Sequence, residues 1–111
     1  MSPKSFLGEF EQMVLLAILQ RRDDAFALEV RREIETSADR SVSRGAFYTT
    51  LERLEKKGLV RWFEECPDDA RRSGPLRRFE VTRRGLDALR ESKRAVETLS
   101  RGLSDLLEAG P

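Results

Sequence analysis

The most specific chemistry in the sequence lies between Ser43 and Arg53. At helical spacing Arg44, Tyr48, Thr49 and Arg53 fall on one face, away from Phe47, Leu51 and Leu54. Their guanidinium, phenol and hydroxyl groups suit phosphate oxygens and base edges, and Tyr48 can also stack. Ser43 and Gly45 belong to the same set, Ser43 as the residue that caps the helix start. A second set, Arg71, Arg72, Arg77 and Arg78, is suited to gripping phosphates or entering a minor groove. Two plainer readings fit the same residues. The first set also describes an amphipathic helix with a solvated polar side. The second also describes a loop whose charges balance Glu64, Glu65, Asp68 and Asp69.

Other chemistries find little support. The chain has no histidine, the commonest general base and metal ligand. It has no glycine-rich phosphate loop, no metal-ligand cluster and no nucleophile beside a base, so neither an enzyme nor a cofactor is expected. The one cysteine, Cys66, follows Glu64 and Glu65, and nearby carboxylates disfavour a thiolate, which argues against a redox sensor. A single cysteine allows no internal disulfide and fits a reducing compartment. The longest apolar run, Met13 to Leu19, is too short for a bilayer, and no signal-peptide pattern opens the chain. The expectation is a cytoplasmic protein with no membrane contact.

Net charge is only +1, so overall charge does not argue for nucleic acid. Its distribution does. Residues 43–63 carry net +3 and residues 71–84 net +5, with an acidic stretch of −4 over 64–70 between them. The two basic blocks coincide with the two donor sets.

Several elements must position these residues. Phe6 to Gln20 reads as a first helix, apolar all round in its second half, so that it needs cover on both sides. Phe6, Phe10, Met13 and Ala17 mark the side without an obvious partner. Arg21 to Asp24 is a charged break. Phe26 to Ser37 is a second helix with Ala27, Val30 and Ile34 inward. Ser43 opens the third, which Gly58 closes. Three helices in succession with the third basic resemble a helix-turn-helix. Leu59 to Phe63 and Leu76 to Val81 read as strands joined by a long polar loop, the wing of a winged helix. From Thr82 a last helix carries Leu86, Leu89, Val96, Leu99, Leu103, Leu106 and Leu107 along one stripe of more than five turns. Its far end extends beyond so small a body and calls for a partner helix.

The segments LGEFEQMVLLAIL, SRGAFYTTLERLEKKGLV and GPLRRFEVTRRGLDAL, in this order, resemble the PadR family of bacterial transcription regulators. The resemblance runs from Leu7 to about Leu107. It implies a fold that is mainly α with a small β-hairpin: a winged helix-turn-helix over residues 1–82 and a C-terminal dimerisation helix over 83–111. It also implies a homodimer in which that helix crosses onto the partner's first helix, and a repressor acting on a palindromic site in double-stranded DNA. The interface would draw on Phe6, Phe10, Met13, Leu89, Val96, Leu99, Leu103 and Leu106, and DNA binding on Ser43, Arg44, Gly45, Tyr48, Thr49, Arg53, Arg71, Arg72, Arg77 and Arg78. Two features depart from the family pattern. Leu28 stands before Glu29 where an aromatic is common. The only tryptophan, Trp62, lies in the wing, so clasping of flat aromatic effectors between C-terminal tryptophans is not implied, and any small-molecule effector stays unnamed. The other function class compatible with the residues is a winged-helix module whose basic face binds an acidic protein and not DNA.

Overall fold

The computed structural model of the chain describes residues 7–66 and 74–108. In order it has α1 (Glu9–Arg21), a 3-10 turn (Arg22–Asp24), α2 (Ala27–Ser37), α3 (Arg44–Lys56), β1 (Val60–Glu65), β2 (Leu76–Val81), α4 (Arg83–Ser100) and α5 (Ser104–Glu108). The fold is mainly helical with a two-stranded antiparallel hairpin, as expected.

One core joins these elements. Val14, Leu15 and Ile18 of α1 meet Val30 and Ile34 of α2, Phe47, Leu51 and Leu54 of α3, and Leu59, Val60 and Phe79 at the hairpin. The first helix starts where the Gly8 amide donates to the Glu11 carboxylate at 2.9 Å, satisfying one of the donors a helix start leaves open. It stops where Arg22 takes a positive φ of 54°. The charged break is thus a shaped turn. It delivers Ala25 and Phe26 to the free edge of β2, where the Phe79 amide donates to the Ala25 carbonyl at 2.9 Å and Phe26 bridges Arg78. This short extra pairing covers part of that edge.

The capping residues act as the sequence implies. Ser43 Oγ accepts from the Ala46 amide at 3.1 Å, and Gly58 follows α3 with φ of 75°. Strand β1 runs two residues further than expected. Glu64 and Glu65 are paired in the ladder, opposite Arg77 and Leu76, instead of lying in the loop. Facing opposite charges across strands favours this extension.

Two readings of the helices need correction. In α1, Ala17 is buried in its own core, and the uncovered side is made by Leu16 and Leu19. The C-terminal stripe is not one helix. The α4 helix ends at Ser100, whose hydroxyl donates back to the Val96 carbonyl at 2.7 Å, and Gly102 takes φ of 79° before α5 begins. A glycine accepts that conformation without the Cβ clash other residues would meet. The leucines beyond Gly102 are therefore re-aimed relative to Leu89 and Val96.

The start of α4 is locked to the end of α3. Thr82 Oγ1 accepts from the Gly85 amide at 3.1 Å and donates to the Gly58 carbonyl at 2.6 Å, while the Thr82 amide donates to the Leu59 carbonyl at 3.0 Å. A Cβ on Gly85 would lie 2.3 Å from the Leu59 carbonyl oxygen, so only glycine fits there. Further along, Ser92 is buried and its hydroxyl accepts from the Leu7 amide at 3.3 Å. Past Ser92 the helix leaves the body. The radius of gyration, 16.1 Å, exceeds the roughly 13 Å of a compact chain this long.

Candidate nucleic-acid interface

Helix α3 is held from its inner side and both ends. Phe47, Thr50, Leu51 and Leu54 are buried, and Thr50 Oγ1 donates to the Ala46 carbonyl at 2.8 Å, so its hydroxyl is satisfied within the helix. At the C-terminal end Lys57 Nζ reaches the buried Glu11 of α1 at 2.8 Å. Burial alone would raise the Glu11 pKa. The hydrogen bonds from Lys57 and the Gly8 amide, with the charges of Lys57 and Arg53, outweigh it and bring the carboxyl below its ordinary value. This brace ties α3 to the first helix.

The outer side of α3 is open. Directly opposite the buried residues, at spacings of four, three and four, stand Gly45, Thr49, Glu52 and Lys56, all exposed. Arg44 and Tyr48 form the flank toward the wing, and Arg53 the flank toward α1. The Arg44 guanidinium lies 5.7 Å from the Tyr48 ring centre. Tyr48 packs edge-on against Phe47 and remains 42% exposed, so its ring lies on the surface and not in the core. Glu52 and Lys56, at the centre of the open side, are absent from the donor set read from the sequence. Helical period names a face, but only the packing of the opposite side fixes which residues are at its middle.

The wing is coupled to α3. Trp62 Nε1 donates to Glu55 on α3 at 3.0 Å, and the Arg77 guanidinium stacks over the Trp62 ring at 4.1 Å. Between α3, β2 and the start of α2 lies a concavity of about 320 Å³, with Phe26, Leu51, Leu76 and Phe79 in its wall and Tyr48, Glu52 and Arg77 at its rim.

The two described wing arginines differ. Arg77 is exposed. Arg78 is mostly covered: its guanidinium bonds Glu65 at 2.8 Å and Glu80 at 3.1 Å. The hydrogen bond to Glu65, then that to Glu80, holds Arg78 still more firmly protonated than an ordinary guanidinium. The hydrogen bond from Arg78, reinforced by one from Arg61, sets the Glu80 carboxyl below its usual range despite partial burial. Arg71 and Arg72 lie outside the described residues, as does Phe6.

The residues read as an interface between subunits also divide. Leu89 is buried in its own chain, and Phe10 and Met13 are partly packed against that core. Val96 is 59%, Leu99 80% and Leu106 76% exposed, and Leu103 and Leu107 are exposed beside them. Among the described residues no helix is long and apolar enough to cross a membrane.

Residues 15–91 match the transcriptional regulator PadR-like family. Solved structures of the same fold include a PadR-like transcriptional regulator from Bacillus cereus, 23% identical with a TM-score of 0.71, matching over 92% of this chain and 93% of that one. A PadR family transcription regulator from Clostridium difficile is 20% identical with a TM-score of 0.66, over 88% of this chain and 98% of that one. A PadR-like transcription factor from Bacteroides fragilis is 20% identical with a TM-score of 0.68, over 87% and 88%. No curated protein sequence matches the chain. The structural likenesses speak for the fold, and the family match, which runs from within α1 well into α4, speaks for descent. The chain belongs to the PadR-like family of transcriptional regulators.

Proposed function

We propose that the protein is a cytoplasmic, homodimeric repressor that binds a palindromic operator in double-stranded DNA. Residues 1–82 form the DNA-binding part and residues 83–111 the dimerisation part. Ser43, Arg44, Gly45, Tyr48, Thr49 and Arg53 of the third helix enter the major groove, and Arg77, with Arg71 and Arg72, holds phosphates from the wing. Arg78 contributes by bracing the wing through Glu65 and Glu80.

The observation that carries this reading is the pairing of two incomplete surfaces. The open side of α3 has cations and donors at its edges. The far half of α4 and all of α5 present leucines to solvent that nothing among the described residues covers. A groove of about 200 Å³ runs between α1 and α2, lined by Met13, Leu16, Ala17 and Ile34. A two-fold axis lets each subunit supply both the leucines and the groove.

A mobility shift on duplex DNA across a salt series tests the proposal. Binding by a dimer should weaken steeply as salt rises, because each neutralised phosphate releases counterions. Failure to bind duplex DNA at low salt would leave the basic face to an acidic protein partner.

A further inference from the structure

We propose that Glu52 is a specificity-determining residue of the DNA interface and that it selects a cytosine in each operator half-site. The inference rests on the DNA-binding reading above and names which base one side chain reads.

Glu52 occupies the middle of the open stripe of α3, between Thr49 and Lys56. It is exposed, and among the described residues it makes no hydrogen bond or ion pair, although Lys56 follows one turn on and Arg53 is adjacent. The neighbouring carboxylates are engaged. Glu55 accepts from Trp62 at 3.0 Å and Glu11 from Lys57 at 2.8 Å. A free carboxylate at the centre of a surface that approaches a polyanion is repelled by every phosphate within a Debye length. It is compatible with tight binding only where a base supplies a donor.

The major groove limits which base that is. Guanine presents N7 and O6, and thymine presents O4, all acceptors that repel a carboxylate. Adenine presents an amine beside the acceptor N7. Cytosine alone presents its N4 amine with no acceptor of its own in the groove. A carboxylate at this place therefore favours cytosine over the other three bases. Lys56, on the same stripe, has a donor to offer the O6 and N7 acceptors of a nearby guanine.

Selection of bound sequences from a random duplex library tests this, with the unaltered protein, Glu52→Ala and Glu52→Gln compared at one salt concentration. Affinities for the selected site and for random duplex are measured alongside. The unaltered protein should prefer cytosine at one position per half-site by about 5- to 150-fold, the range of a single good base contact. Glu52→Ala should lose preference at that position alone and bind random duplex as well as or better than the unaltered protein. Glu52→Gln should move the preference toward adenine, whose N6 and N7 suit an amide. Base preferences unchanged in Glu52→Ala would overturn the assignment, also if affinity for all sequences rose uniformly, since Glu52 would then be only a repelling charge. Absence of any binding by the unaltered protein would instead overturn the operator reading and the role of Glu52 with it.

Discussion

Arg44 and Arg53 stand on opposite flanks of the open side of α3, so a groove that receives the helix meets both. Each is exposed, so neither supports the core. Arg44→Ala and Arg53→Ala should each fold normally and weaken operator binding, by about 1–3 kcal/mol per half-site if the lost contact is to guanine. Titration of labelled operator measures this, and full affinity in both variants would take α3 out of the interface. Glu11 makes a different prediction. Its folded pKa lies below its unfolded one, so its contribution is complete above the ordinary glutamate value and is lost as pH falls through the lower folded value. Glu11→Gln should cost about 1 kcal/mol at neutral pH, because Lys57 is part-exposed, and should flatten the acid limb of a stability-against-pH profile. An unaltered acid limb would show that the brace carries no charge-dependent stability. The donors of α3 were legible because residue type states what can be donated and period states the face. The engagement of Arg78 was not, because it depends on strand β1 reaching Glu65, and strand ends are set by cross-strand partners distant in sequence.

At the scale of elements, the wing and the start of α4 are the informative pieces. Arg77 is held over Trp62 but open to solvent, whereas Arg78 is taken up by two glutamates. Arg77→Ala should weaken binding to operator and to random DNA alike and reduce the salt slope by about 1 per subunit, about 2 for the dimer. Isotherms at several salt concentrations give that slope, and an unchanged value would leave the wing out of phosphate binding. Gly85→Ala tests the joint. The added methyl meets the Leu59 backbone and Val81, and crowding of this kind costs about 1–3 kcal/mol. A thermal melt indistinguishable from the unaltered protein would show that α4 shifts freely at its root. Caps were readable at Ser43, Gly58 and Thr82, where side-chain chemistry dictates local geometry. The 3-10 turn after α1 was not, since Arg22 carries no mark of the positive φ that the pairing of Ala25 with β2 imposes.

For the whole molecule the question is what covers the far leucines. Leu99→Asp with Leu103→Asp puts charge into the proposed seam twice per dimer, where each buried leucine is worth roughly 1.5–3 kcal/mol. The double variant should sediment as a monomer or fail to fold, and should lose operator binding. The unaltered protein at micromolar concentration should sediment near twice 12.8 kDa, and a mass near 12.8 kDa would remove the dimer. The apolar stripe was legible from the helical spacing of its leucines, and its far members Val96, Leu99 and Leu106 are exposed. The break at Gly102 was not, because the heptad-like spacing of Leu89, Val96 and Leu103 continues across it.

The joint at Thr82 and Gly85 also makes α4 a gauge. This helix is 18 residues long, about 27 Å, and its root is bonded to the carbonyls of Gly58 and Leu59, between α3 and β1. A tilt of roughly 5° at the root moves its free end by about 2 Å. In the proposed dimer each free end packs on the partner's first helix, so a change of angle at the root alters the distance between the two reading heads. Operator half-sites stand about 34–36 Å apart per helical turn, and a change of that size shifts which spacing is accepted. A relative with different residues at the root, and an identical reading helix, would thus recognise the same bases at another interval.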